Sequence, residues 1–213
     1  MKLYYGFDSR ISDFQTIDML KVAMKNSKTY GYEIVFYGDS QSIDDLKEHY
    51  DYSVDISECN FQFKDDIKIY IHSNEDINCI TIDANVLIGE PIDASYASVW
   101  FLEREHTESY DDMLEHFSKH GTKYHIQGFK NQSNKFVNTN LISFNDIHVK
   151  EDFIQGYEIL KSFYLDIIEP EETLSEKGWN MSKILSEYYF ACLLEENEIN
   201  SAYLSDDHKF DLL

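Results

Sequence analysis

Two hydrophobic periods alternate along the first half of this chain. "KLYYGF" (2–7) is a short extended run, and "SDFQTIDMLKVAMKNSKTYG" (12–31) then spaces Phe14, Ile17, Leu20 and Met24 along one helical face, with Ser12 as N-cap and Gly31 as stop. "YEIVFYGD" predicts a second strand, "SQSIDDLKEHY" a short acidic helix capped by Ser42, and "YSVDIS" a third extended piece. "FKDDIKIYIHS" places Phe63, Ile67, Tyr70 and Ile71 at helical spacing, after which "INCITIDANVLI" (77–88) reads as one buried strand ended by Pro91.

Strands that alternate with helices imply a parallel sheet, whose ligand sites gather beyond the C-terminal strand ends. Further on, "YASVWFLE" and "KFVNTNLISF" predict strands, and "SYDDMLEHFSKHG" predicts a helix ending at Gly121. The last third changes character. "DFIQGYEILKSFYLDII" lines up Phe153, Tyr157, Leu160 and Tyr164, and "NMSKILSEYYFACLLEENEI" repeats the pattern with Ile184, Leu185, Tyr188, Tyr189 and Cys192. The acidic, Pro170-containing "EPEETLSEKG" between them reads as a solvated linker. The expected architecture is an α/β fold: a mixed, mostly parallel sheet flanked by helices, with a helical C-terminal third. One domain over 1–213 is expected, with an α/β core over 1–145 and a helical part over 146–213.

Composition supports a folded chain: 213 residues with 43% hydrophobic and 15% aromatic content hold too much core material for disorder. The charge limits the partners. A net charge of -22, from 40 acidic and 18 basic residues, repels phosphate backbones and anionic lipid and so argues against nucleic-acid binding. It also opposes an anionic nucleotide unless a metal ion or a local Lys or Arg compensates. Three cysteines, Cys59, Cys79 and Cys192, leave one unpaired in any disulfide scheme and read as reduced thiols. No apolar run approaches the ~20 residues of a membrane span, and "MKLYYGFDSR" has no signal-peptide core, so a cytoplasmic protein is expected. No Gly-rich phosphate loop, Ser/His/Asp pattern or HExxH motif is present. His116 and His120 stand four residues apart without a third ligand in view and are expected to be exposed.

The candidate chemistry lies in "TIDANVLIGEPI". Asp83 and Asn85 close an apolar run, separated by the small Ala84; taken alone, the same residues also make good turn or capping chemistry. In position, apolar flanks and trailing Pro91, this stretch resembles the Asp-x-Asp strand of GT-A-fold glycosyltransferases, particularly their small bacterial and viral relatives. "EIVFYGDS" is similar to the family's second strand, with Tyr37 and Asp39. "DIKIYIHS" is similar to the helix before the Asp-x-Asp strand, with Lys68 facing the donor. "FVNTNLISF" resembles a later strand whose Asn138 and Asn140 stand against the sugar. Weaker likenesses place Glu187 at the acidic start of a helix motif and His208 as a C-terminal metal ligand.

The resemblance implies transfer of a hexose from a nucleoside diphosphate sugar to an acceptor. It assigns Asp83, Asn85, Lys68, Asp39, Tyr37, Asn138 and Asn140 to the donor, and Asp83, Asn85 and His208 to Mn²⁺ or Mg²⁺. Asn85 departs from the family pattern: an amide oxygen ligates a hard cation without adding charge, so metal affinity should fall. Two other classes stay open. One is a non-catalytic binding or assembly protein that kept the fold and takes a protein partner through its helical C-terminal part; the other is an acidic DNA mimic.

Overall fold

The computed structural model describes residues 1–12, 15–93, 97–106, 135–166, 184–203 and 210–212. Strands β1 (Lys2–Phe7), β2 (Glu33–Gly38), β3 (Tyr52–Asp55) and β4 (Ile80–Ile82) alternate with helices α1 (Gln15–Thr29), α2 (Ser40–Leu46) and α3 (Asp66–Asn74). β5 (Val86–Ile88), β6 (Val99–His106) and β7 (Lys135–Phe144) follow, then α4 (Ile147–Leu165), a π-helical turn (Ile184–Tyr188), α5 (Tyr189–Glu196), β8 (Ser201–Tyr203) and β9 (Phe210–Leu212). The main sheet has seven strands in the order β3-β2-β1-β4-β7-β6-β8. β1 is parallel to β2 and β4, β2 to β3, and β6 to β8, whereas β7 runs antiparallel to both β4 and β6. The sheet is therefore mixed and mostly parallel, as the alternating pattern implied.

Side-chain alternation assigns each face of the sheet. Leu3, Tyr5 and Phe7 of β1 join Ile34, Phe36, Ile80 and Ile82 beneath Leu20 and Met24 of α1. Tyr4, Val35 and Tyr37 point to the opposite face, against Ile67 and Ile71 of α3. Gly6 sits on that second face, where a β-carbon would collide with the Ile67 side chain, so its bareness lets α3 lie close on β1. α1 ends as expected at Gly31, whose φ of +80° suits glycine; Phe14 lies outside the described residues.

Three expectations change. Asp39, not Ser42, caps α2: its carboxylate accepts from the Gln41 and Ser42 amides, and Ser42 is already inside the helix. The run 77–88 is two strands, because the chain turns at Asp83–Val86, where the Val86 amide donates to the Asp83 carbonyl at 3.2 Å. β4 then stays in the main sheet while β5 pairs with β9 in a second, two-stranded sheet. The C-terminal third is helical but also returns strands, β8 to the main sheet and β9 to β5. The helix expected over 109–121, with His116 and His120, and the linker over 169–178 lie outside the described residues.

A large aromatic core joins the C-terminal helices to β6 and β7. Phe153 and Tyr157 of α4 pack with Tyr188, Tyr189 and Phe190 against Phe101, Phe136 and Phe144. No described helix is long and apolar enough to cross a membrane.

Candidate functional site

α3 and β4 meet face to face, and their repeat distances agree. Four residues of helix rise about 6 Å and two residues of strand about 6.6 Å, so Lys68 and His72 on one helical face can meet Asp83 and Thr81 on one strand face. They do. The His72 ring Nε2 is 2.9 Å from the Thr81 hydroxyl, and the Lys68 Nζ is 3.2 Å from Asp83 Oδ1.

Lys68 is buried and fully engaged. Its ammonium donates to the Thr139 carbonyl at 2.7 Å and to the Thr139 hydroxyl at 3.4 Å, and lies 3.6 Å from Asp65 Oδ1. Burial alone would lower its pKa; the Asp83, Asp65 and Glu187 carboxylates outweigh burial and hold it above the ordinary lysine value. Asp65 also accepts from the Ser186 hydroxyl at 2.7 Å. The π turn thus directs two successive residues at the site, Ser186 to Asp65 and Glu187 to the field around Lys68. Such wide turns are frequent at functional positions.

β7 is irregular where it meets this cluster. Phe101 pairs with Ile142 and Glu103 with Asn138, so a step of two residues along β6 matches a step of four along β7. The surplus backbone around Thr139 to Leu141 bends the strand and frees the Thr139 carbonyl for Lys68.

Asp83, Ala84 and Asn85 line a cleft of about 180 Å³ with Tyr4, Gly6, Ser12, Thr16, Lys64, Asp65 and Lys68. The cleft opens at the C-terminal ends of β1 and β4, the side where parallel sheets place ligands. Among the described residues, Asn85 Oδ1 has no hydrogen-bond partner and is itself shielded from solvent. Lys64 is exposed at the rim and has no ion pair among the described residues.

The other sequence candidates are placed elsewhere. Asp39 accepts from the Ser9, Gln41 and Ser42 amides and the Ser42 hydroxyl; burial pushes its pKa up, but these bonds outweigh it and hold the carboxyl below its usual value. Tyr37 donates to Glu75 at 2.5 Å, and Tyr4 donates to the other oxygen of the same carboxylate at 3.1 Å. Asn138 accepts from the Asn140 amide at 2.9 Å, and the Asn140 carbonyl accepts from the Asp83 amide at 2.7 Å. Tyr37, Asp39, Asn138 and Asn140 are absent from the described lining of the cleft. His208 lies outside the described residues. Sequence reasoning missed Asp65, Thr139 and Ser186. Asp65 carried a signal in its i, i+3 spacing to Lys68; Thr139 acts largely through its carbonyl, which no residue identity records.

A divalent ion on the Asp83 oxygen that faces Lys68 would meet electrostatic repulsion. An ion taking Oδ1 at the usual 2.0–2.2 Å would stand within about 5 Å of a buried ammonium that already neutralises that carboxylate. Asn85 adds no charge, and the Asp65 and Glu187 carboxylates share the same ammonium. Among the described residues, no group of three or more His, Cys, Asp or Glu could hold a metal.

His72 supplies a pH test of the α3–β4 contact. Burial, with help from the Lys68 and Lys150 charges, depresses its pKa to about 3, against about 6.5 for the unfolded chain. The ring stays neutral in the fold while the unfolded chain takes up a proton. Its contribution to stability is thus intact above about pH 6.5 and is lost as pH falls towards about 3. Urea denaturation of wild type and His72→Gln between pH 6 and 4 should show wild type losing up to about 1.4 kcal/mol per pH unit more than the variant. Equal slopes would mean that the ring protonates in place.

No protein-family model matches the chain, and no curated protein sequence does. Among solved structures, it is similar to the apo form of the glycosyltransferase GlyE of Streptococcus pneumoniae TIGR4, with 12% identity and a TM-score of 0.45 over 94% of this chain and 44% of that one. A second GlyE structure gives 13% identity and a TM-score of 0.45 over 96% and 45%. The CTP:phosphocholine cytidylyltransferase LicC of Streptococcus pneumoniae gives 11% and 0.48 over 100% and 92%. The chain spans less than half the length of GlyE. With every TM-score below 0.5, these likenesses carry no functional weight, and the cleft has to speak through its own residues.

Proposed function

We propose that the chain is a GT-A-like protein that binds a nucleoside diphosphate sugar in the Asp83–Asn85 cleft and transfers its hexose to an acceptor. The observation that carries this reading is the Asp83–Ala84–Asn85 turn at the end of β4, which brings a carboxylate and an amide side chain, each with an acceptor oxygen, to the lining of one cleft. Both are acceptors, the groups that sugar and ribose hydroxyls need. When an acceptor hydroxyl displaces the nucleotide, negative charge grows on the leaving diphosphate. Among the described residues that line the cleft, Lys64 at the rim is a cation able to meet it, because Lys68 is held by carboxylates.

The Lys68–Asp83 pair also favours a second reading, a binding protein that kept the pocket without the transfer chemistry. Thermal-shift titration with UDP, GDP and their sugar conjugates addresses binding, since a ligand of the folded state raises its apparent stability by mass action. A sugar conjugate at one hundred times its Kd should stabilise the protein by about 2.7 kcal/mol. That shift should vanish in Asn85→Ala. No shift with any nucleotide would remove both readings of the cleft. Release of nucleoside diphosphate in the presence of an acceptor separates the enzyme from the binding protein.

A further inference from the structure

The ammonium of Lys68 stands where charge compensation for the cleft is needed. It is buried, touches Asp83 at 3.2 Å and Asp65 at 3.6 Å, and is fixed from the far side by the Thr139 carbonyl at 2.7 Å. Its position is set by three elements at once: α3 supplies the lysine, β4 the first carboxylate and β7 the carbonyl. A cation delivered from solvent would have to displace it or share Asp83 with it.

We propose that Lys68 is the resident cation of this cleft and that the site takes its ligand without a divalent metal ion. The lysine is a fixed positive charge beside Asp83, whereas a metal ion in the same place would be there only while bound. Asp83 is left to orient a ligand hydroxyl through its second oxygen, and Lys64 to face ligand anions from the rim. The identity of the ligand rests on the nucleotide-sugar reading above; the resident-cation assignment does not.

The test uses the full chain and Mn²⁺ itself, with free Mn²⁺ measured by electron paramagnetic resonance. An acidic surface binds some Mn²⁺ non-specifically, so the decisive quantity is the difference between wild type and Asp83→Asn. No difference is expected. Lys68→Met, checked for folding by circular dichroism, should take up Mn²⁺ at least tenfold more tightly than wild type, because Asp83 and Asp65 then lose the ammonium between them. Mn²⁺ uptake by wild type that disappears in Asp83→Asn would overturn the proposal, as would a folded Lys68→Met with no gain. If Lys68→Met does not fold, the comparison of wild type with Asp83→Asn decides. In parallel, the nucleotide-sugar thermal shift should be as large in EDTA as in Mn²⁺, and a shift that requires Mn²⁺ would also overturn the assignment. Absence of any shift in either condition sinks the nucleotide-sugar reading alone, leaving the Mn²⁺ comparison to judge Lys68.

Discussion

Asp66→Ala should lower the unfolding free energy by about 3–5 kcal/mol, the usual consequence of stripping one member from a buried ion pair. Asp66 is buried at the start of α3, where Oδ2 accepts from the Gln62 and Phe63 amides at 2.6 and 2.9 Å and pairs with Lys161 at 2.9 Å. Oδ1 accepts from the Tyr157 hydroxyl at 2.8 Å. The alanine variant orphans two amides, a phenol and an ammonium together. The carboxylate also ties α4 to α3, so the loss should spread to the C-terminal helices. Tyr157→Phe removes a single donor and should cost about 1 kcal/mol. Equilibrium urea denaturation of the two variants provides the comparison, and a loss under 1 kcal/mol for Asp66→Ala would show that Lys161 and the amides find other partners.

Gly156→Ala should destabilise the protein by about 2–3 kcal/mol, although the same change in an exposed helix gains up to about 1 kcal/mol. The reason is contact. A β-carbon on Gly156 would run into the Tyr189 ring and hydroxyl, and that ring is stacked on Phe153 with its hydroxyl donating to the Asp152 carbonyl at 3.1 Å. The tyrosine is itself fully buried. For a chain of this length such a loss corresponds to roughly 4–12 °C in Tm. In a Tyr189→Leu background the sign should reverse, because the obstacle is gone; a Gly156→Ala penalty of equal size in both backgrounds would place the strain in the helix backbone instead.

Much of the fold was legible because burial leaves a periodic mark. Leu20 and Met24 announced the inner face of α1, and Phe153, Tyr157, Leu160 and Tyr164 that of α4, and all are buried. The split of 77–88 was not legible, since Ile80, Ile82, Val86 and Ile88 are all buried and a continuous apolar run looks the same whether it enters one sheet or two. Asp83, Asn85 and Lys68, singled out from motif and position, line one cleft. Asp39 shows why a strand-end aspartate is ambiguous: the same carboxylate serves a helix cap or a ligand, and here it caps α2. Between Asn138 and Asn140 stands Thr139, whose carbonyl accepts from Lys68.

The π turn at Ile184–Tyr188 has a bearing on how such a site passes from one chain to another. A π turn is wider than an α turn, so its geometry is encoded by a count of residues and not by any one of their identities. Losing a single residue there would close it to an α turn and rotate the residues of the turn ahead of the loss against α5 by about 100° about the helix axis. Ser186 and Glu187 would leave the site together while every other letter of the segment stayed the same. An alignment that places a one-residue gap in this helix would therefore hide a change at the cleft as harmless length variation.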